Sequence, residues 1–352
     1  MRSSYPPQDA ELLLKDITGL VEPLPASVRE RYIQNGTHYC EMLPLEYTPT
    51  EQYMAAYRAA LASYSRATAH AVGILAEKLW KHRGEHLVIV SLARAGLPIG
   101  ILLRRYLLGK YGADVKHYAI SIIRGRGIDK NAVDYILARH DAKDVQFIDG
   151  WIGKGAILGQ LRDALCDYPQ LDAELGVVSD PAGLTELCGT HEDILIPSSC
   201  LNATVTGLIS RTFLRSDIIG EHDFHGAAYY AELEEHDLSN EFLETVGQYF
   251  DFSCTSETEP YSSICGREAV RQIAAEYGIS DINFIKPGIG EATRVLLRRI
   301  PWKVLMNETY SDALELMHIR QLAAEKNVPC EISRVPLGNY KVCGIIRQLS
   351  DI

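Results

Sequence analysis

The chain has 352 residues, 47% of them hydrophobic, and a formal net charge of −11. That length supports a sizeable core and two or three domains, and the acidic balance argues against a general nucleic-acid coat. Eight scattered cysteines without Cys-x-x-Cys spacing suit reduced thiols in a cytoplasmic protein; Glu11, Lys15 and Asp16 interrupt the N-terminal apolar residues and no apolar run reaches about 18 residues, so neither a secretory leader nor a membrane span is expected.

Residues 1–84 read as an N-terminal extension and helix. Pro6, Pro7, Pro23 and Pro25 break up any long helix before residue 50. The run from Tyr39 to Glu46, dense in bulky apolar residues and acids, reads as a packing arm. Glu51 to Arg83 carries apolar residues at helical spacing and predicts one long helix, with at most one break. Leu87 to Leu92 predicts a short buried strand, running into Arg94-Ala95-Gly96 and a helix from Ile101 to Leu108. Val115 to Ile123 predicts the next strand. It ends in the basic glycine loop Arg124-Gly125-Arg126-Gly127, before a helix over Asn131 to His140.

Val145 to Ile148 predicts a buried strand with an acid, Asp149, at its carboxyl end. Gly150 and the loop Gly153-Lys154-Gly155-Ala156 follow, then a helix over 157–165. Free loop amides and the positive end of a helix suit an anion, and glycine lets the backbone come close. Arg94 supplies a guanidinium suited to phosphate oxygens. Ordinary strand-to-helix turns and a solvated basic loop would account for the same residues without a ligand.

Leu175 to Ser179 predicts another strand, followed by Asp180, and Asp193 to Pro197 a further one. Ser198 to Leu208 is a polar turn opening a helix that ends near Leu214. Asp180, Ser199 and Asn202 are candidate contacts to a base or nucleoside; equally, the hydroxyls of the turn serve as caps. Residues 215–280 are acidic. His222-Asp223-Phe224-His225 offers the atoms of a divalent-metal site or forms a turn, and no metal ligand is assigned there. Tyr261 to Tyr277 reads as a linker and a helix.

Residues 281–352 hold ten Lys and Arg against eight Asp and Glu, so the excess acid lies in the rest of the chain. The pattern predicts a strand over 282–285 and a loop from Lys286 entering a helix over 291–299, basic at Arg294, Arg298 and Arg299. A strand over 302–306, a helix over 311–326 and a strand over 328–332 follow. A turn at Leu337 to Tyr340 leads into 342–346.

The Asp149 loop and the Arg94 turn resemble the ribose-phosphate and pyrophosphate loops of type I phosphoribosyltransferases. This resemblance implies a parallel sheet flanked by helices over 85–280, including the acidic segment 215–280. It implies that Asp149 holds the ribose hydroxyls and Gly150, Gly153, Lys154, Gly155 and Ala156 the 5′-phosphate. Arg94, Ala95 and Gly96, with Arg124 and Arg126, would hold a diphosphate together with Mg²⁺. Departures are Gly150 in place of the family's second acid, and Gly153, Lys154 and Ile157 in place of its threonines. Residues 281–352 resemble the Pelota RNA-binding domain through Gly288-Ile289-Gly290-Glu291, Glu325-Lys326-Asn327-Val328-Pro329 and Leu337-Gly338. This implies a C-terminal α/β domain with Gly288, Gly290, Glu291, Arg294 and Leu337 at a structured-RNA surface, although Gly290 replaces the family's loop asparagine.

The pair of modules resembles the bacterial StiP-type proteins of tellurium-resistance stress clusters, some of which carry a cysteine-protease label. The leading expectation is an enzyme that makes or breaks an N-glycosidic bond using phosphoribosyl diphosphate or a related ribose phosphate, with Asp149, Arg124 and Arg126 in catalysis. A nucleotide-sensing, RNA-binding regulator without turnover is the second. The third is a cysteine hydrolase with Cys200 as nucleophile and His222 or His225 as base. A homodimer follows by analogy alone.

Overall fold

The computed structural model describes residues 1–257, 265–298 and 300–346. The expectations placed on Tyr261 and on the side chains of Arg298 and Arg299 lie outside the described residues.

The N-terminal arm supplies two short strands, β1 (Glu11–Leu12) and β2 (Lys15–Asp16), and helix α1 (Ala26–Gln34). Helix α2 (Glu51–Arg83) runs unbroken. The Thr50 side chain accepts from the Tyr53 N–H at its start; Lys81, His82 and Arg83 sit at its negative end, and Gly84, at φ +66°, closes it. Next come β3 (Val88–Ala93), α3 (Gly96–Tyr111), β4 (Lys116–Ile123), β5 (Gly127–Ile128) and α4 (Lys130–Leu137). They are followed by β6 (Val145–Trp151), α5 (Ala156–Ala164), β7 (Leu175–Ser179), β8 (Cys188–Thr190), β9 (Gly226–Ala227), α6 (Ser239–Gly247) and α7 (Gly266–Glu276). The C-terminal part runs β10 (Ile285–Pro287), α8 (Ile289–Arg298), β11 (Lys303–Met306), α9 (Met317–Glu325), β12 (Cys330–Ile332) and β13 (Val342–Ile345).

The central sheet has the order β1-β4-β3-β6-β7-β8, parallel along that path, with β5 antiparallel on β4. Its strands are near-continuous apolar runs because both faces are covered. One face packs on α2, α3 and α6 through residues such as Leu75, Leu103 and Phe242, and the other on α4 and α5 through Val133, Ile136, Leu158 and Leu161. This is the expected α/β architecture, a parallel sheet flanked by helices. Strand order reverses between β3 and β6, and the carboxyl ends of those strands open a crevice. Gly96 belongs to that crevice: a Cβ there would fall 2.5 Å from the Ile148 carbonyl oxygen, so only glycine lets α3 start so close to β6.

The C-terminal sheet has the order β10-β13-β11-β12. It shares its core with the rest of the chain. Ile289, Ala292 and Leu296 of α8 join the cluster containing Ile196, Cys200 and Leu201. Ile285, Tyr340 and Cys343 join the cluster containing Ile152 and Ala182. Among the described residues, no helix is long and apolar enough to cross a membrane.

Four segments depart from the sequence reading; in one, the strand expected over 282–285 is a 3₁₀ turn, Ile282–Phe284, and the strand is Ile285–Pro287. Residues 193–197 are not a strand; the neighbour of β7 is Cys188–Thr190. Asp193 instead turns toward the C-terminal sheet and accepts from its backbone N–H groups. Residues 198–214 form two 3₁₀ turns, Pro197–Cys200 and Ala203–Val205, rather than a helix. Gly207 at φ +74° interrupts this stretch, and its backbone pairs instead with residues 226–228, as in Ser210 N to Ala228 O at 2.8 Å. The helix expected over 311–326 begins only at Met317, after 3₁₀ turns at Glu308–Tyr310 and Leu314–Leu316.

Candidate active site

The crevice contains a cavity of about 250 Å³ lined by Ala95, Arg124, Asp149, Trp151, Lys154 and Arg294, among others. β6 places Asp149 there, where burial pushes its carboxyl up to about 7 despite the N–H of Gly150 at 2.8 Å and the nearby Arg294. The anion-binding groups expected around it are engaged by the protein itself. Arg94 turns into the N-terminal arm, donating to Glu46 at 3.2 Å, to the Asn202 side chain at 3.2 Å and to Ile209 O at 3.3 Å. Lys154 donates to the carbonyls of Ile282 at 2.6 Å and Ile285 at 3.2 Å. The Gly153 carbonyl accepts from the Tyr340 hydroxyl at 2.5 Å. Gly155, at φ +83°, opens α5 with Ala156 as its first residue. The loop therefore seats the C-terminal domain. Burial and the charges of Lys286 and Arg124 also push the Lys154 ammonium down to about 8.

Arg124 donates to Asn283 Oδ1 at 3.1 Å, and Arg126 pairs with Glu41 at 2.8 Å. Asp180 is buried and accepts from the N–H groups of Leu184 at 2.5 Å and Thr185 at 2.8 Å, so one of its oxygens serves a turn. Ser199 is buried, with a hydroxyl that has no hydrogen-bond partner. Gly288 lies against Asp193, Gly290 against Ser199, and Glu291 and Arg294 line the cavity. Leu337 is a core residue. The loop expected to face RNA is thus turned onto the central sheet. Its anchor is Asp193, whose carboxylate accepts from Ile289 N at 2.9 Å and from Lys341 N at 2.9 Å. Burial pushes that carboxyl up to about 7.

All eight cysteines are free thiols. Cys200 is buried, its thiol pushed up to about 12, and no imidazole lies within hydrogen-bond reach of it among the described residues. His225 bonds instead to Ser121 Oγ at 2.9 Å, and His222 is exposed. The expected pairing of Cys200 with either histidine is therefore absent, because His225 is engaged by Ser121 and His222 faces outward. No group of three or more His, Cys, Asp or Glu side chains is placed to hold a metal among the described residues, including those at 222–225.

Three other thiols do meet an imidazole among the described residues; Cys254 Sγ lies 3.5 Å from His70 Nδ1, and the other two are closer. The 3₁₀ turn Tyr39–Glu41 brings Cys40 Sγ to 2.9 Å from His38 Nδ1. This pair lies beside the basic loop: a Cβ at Gly125 would fall 3.6 Å from His38 Nε2, and Arg124 N donates to the Tyr39 hydroxyl at 2.9 Å. Burial pushes the Cys40 thiol up, and Arg126 draws it down. In the interior, Cys188 Sγ lies 3.3 Å from His191 Nε2, while His191 Nδ1 lies 3.0 Å from Asp180 O and 4.0 Å from Asp180 Oδ2. All three are buried, and the Cys188 thiol is pushed up to about 12.

Comparison with known proteins assigns a family. Residues 3–247 match the family described as tellurite-like stress resistance cysteine protease StiP. A cysteine protease StiP of Acinetobacter baylyi is 33% identical over 98% of this chain and 94% of the relative. The chain belongs to the StiP family. Residues 264–348 match the Pelota RNA-binding domain. No solved structure matches the chain.

These matches overturn the transferase expectation and its nucleotide-sensing variant, since the family and the relative are both described as cysteine proteases. The geometry runs the same way: Arg94 and Lys154, the cations expected on the diphosphate and 5′-phosphate, are tied to Glu46 and to carbonyls of the C-terminal domain. The Mg²⁺ expectation belonged to that diphosphate. His38 and Cys40 were passed over in the sequence because a two-residue spacing carries no signature. The signal present was a histidine two residues before a cysteine, at the start of the Tyr39–Glu46 segment.

Proposed function

We propose that this protein is a thiol hydrolase of polypeptide substrates in stress resistance, with Cys40 as nucleophile and His38 as base. The observation that carries this reading is the 2.9 Å contact between His38 Nδ1 and Cys40 Sγ, within residues that match the cysteine-protease family. The Cys40 proton passes to His38, and the thiolate attacks the peptide carbonyl carbon. The peptide C–N bond breaks as His38 returns the proton to the departing amine. Water then hydrolyses the thioester, giving a carboxylic acid and restoring the thiol. The guanidinium of Arg126 favours the thiolate. Cys40 is buried in the resting state, so substrate access requires movement of the 124–127 loop, held by the Arg126–Glu41 pair. The test is peptide hydrolysis and labelling by an electrophilic thiol probe, with Cys40→Ala and His38→Ala. Both variants should lose activity; full activity in Cys40→Ala sinks the assignment.

A second reading places the nucleophile at Cys188, favoured by one observation: His191 Nε2 faces the Cys188 thiol while its Nδ1 meets the backbone carbonyl of Asp180, the order of a nucleophile, base and orienting acceptor. The Cys188 thiol, pushed up to about 12 by burial, stands against it. Loss of activity in Cys188→Ala with Cys40→Ala unaffected would select it. We further propose that the C-terminal domain contacts structured RNA. Contact through Gly288 then requires that domain to leave the core, because Gly288 is buried against Asp193 where it docks.

A further inference from the structure

The basic loop beside the His38–Cys40 pair is held from two sides. It is the tip of the β4–β5 hairpin, with Arg124, Gly125 and Arg126 exposed and Gly125 and Gly127 at φ +76° and +89°. On one side it rests on the Cys40 turn. Arg124 N donates to the Tyr39 hydroxyl at 2.9 Å, Arg126 pairs with Glu41 at 2.8 Å, and a Cβ at Gly125 would fall 3.6 Å from His38 Nε2. On the other side it is tied to the C-terminal domain, where the Arg124 guanidinium donates to Asn283 Oδ1 at 3.1 Å. Asn283 belongs to the 3₁₀ turn Ile282–Phe284, and the Asp281 carboxylate fixes that turn by accepting from Asn283 N at 2.8 Å.

A second path joins the same two partners. Ile282 O and Ile285 O accept from Lys154 Nζ at 2.6 and 3.2 Å. Lys154 lies just before α5, and Gln160 on α5 accepts from Gly125 N at 2.6 Å. The docked domain therefore fixes the loop both directly and through α5, and Cys40 is 1% exposed in that arrangement.

The join between the two modules is also charged alike on both walls. The cavity of about 250 Å³ there is lined by Arg124 and Lys154 from one module and by Lys286 and Arg294 from the other, against the acids Asp149 and Glu291. Asp149, raised to about 7 by burial, is only partly ionised near neutral pH, so the positive charges are incompletely matched. Like charges held this close oppose docking, and release turns Lys286 and Arg294 out to where the phosphates of a polyanion bind them.

We propose that the C-terminal domain is a latch on the thiol site: docked, it holds the 124–127 loop against His38 and Cys40 through Asn283 and Lys154, and a structured RNA that binds its inner face frees the loop and opens the site. This rests on the readings of Cys40 as nucleophile and of the C-terminal domain as an RNA-binding module. The inner face is the segment from Gly288 to Arg294, which packs on Asp193 and Ser199 and lines the cavity, so docking and RNA contact there exclude each other. A ligand that binds only the released domain shifts the balance toward release, by as much as its preference for that state.

The experiment uses the full chain and a short RNA duplex interrupted by a bulge. RNA binding is followed by fluorescence anisotropy, and opening by the iodoacetamide labelling rate of Cys40, read by mass spectrometry with exposed Cys166 as the internal control. Asn283→Ala should raise the Cys40 rate about threefold without RNA, as the loss of one exposed hydrogen bond implies, and Asn283→Asp, which still pairs with Arg124, should stay near the native rate. Saturating RNA should raise the native rate about tenfold, because release also removes the Lys154 contacts, and should leave Cys166 unchanged. A Cys40 rate that the RNA does not change overturns the inference, as does an unchanged rate in Asn283→Ala. Anisotropy tells the two failures apart: RNA bound without faster labelling breaks the coupling, and no RNA bound removes the RNA-binding reading on which the inference rests. Faster labelling with no peptide cleaved would sink the hydrolase reading alone.

Discussion

Asp193→Ala tests how the two sheets are held together. Asp193 is 3% exposed and accepts from two backbone N–H groups, Ile289 at the start of α8 and Lys341 just before β13. Removing the carboxyl leaves both donors buried without an acceptor. At about 1–3 kcal/mol for each buried group left unpaired, the loss should be about 3 kcal/mol. The pH dependence gives a sharper test. Burial raises the Asp193 carboxyl to about 7, so the folded state holds a proton that the unfolded chain releases near pH 4. Its contribution is therefore fully present below pH 4 and is lost as pH rises toward 7, by no more than about 4 kcal/mol. The penalty of Asp193→Ala should be largest at pH 4 and below, fall through pH 5 and 6.5 and be smallest at pH 8, and neutral Asp193→Asn should gain on the native protein over the same range. Urea unfolding followed by tryptophan fluorescence at pH 5, 6.5 and 8 measures this. A penalty that grows with pH would refute the reasoning, because it would mean that the helix start and Lys341 stabilise the carboxylate more than burial penalises it.

Three other outcomes are expected. Glu41→Gln breaks the pair with Arg126, which holds the loop over His38, and should raise the iodoacetamide labelling rate of Cys40 up to about fivefold, read by mass spectrometry of the peptide; an unchanged rate means the pair does not gate access. Gly288 sits at φ +90° with Asp193 Oδ1 3.1 Å from where a Cβ would lie, so Gly288→Ala should destabilise by about 2 kcal/mol in urea. Tyr340→Phe removes the donor to the Gly153 carbonyl and should cost about 1 kcal/mol, with earlier proteolytic release of the C-terminal domain as a second readout.

The central sheet was legible because its strands are buried on both faces: 88–93, 116–123, 145–151 and 175–179 all appear as apolar runs of strand length. Residues 193–214 were not, because their conformation comes from distant partners. Asp193 answers to Ile289, and residues 210–213 pair with 226–228. The same distinction governs the site. Asp149 was found at the carboxyl end of its strand because topology puts it there. The fates of Arg94 and Lys154 were hidden, since their acceptors Glu46 and Ile282 lie far off in sequence. Likewise Gly288 fits an RNA-facing pattern, and only the docking of the two sheets shows that it is covered.

The edge strand β1 has a consequence for synthesis of the chain. Its residues Glu11 and Leu12 leave the ribosome early, yet their partners Tyr118 and Ala119 follow more than a hundred residues later. Asp9 must likewise wait for Arg105, which it meets at 2.5 Å. The N-terminal arm, with His38 and Cys40, is therefore held in place only after the sheet has begun to assemble, so the Cys40 thiol of the nascent chain stands open before it is enclosed.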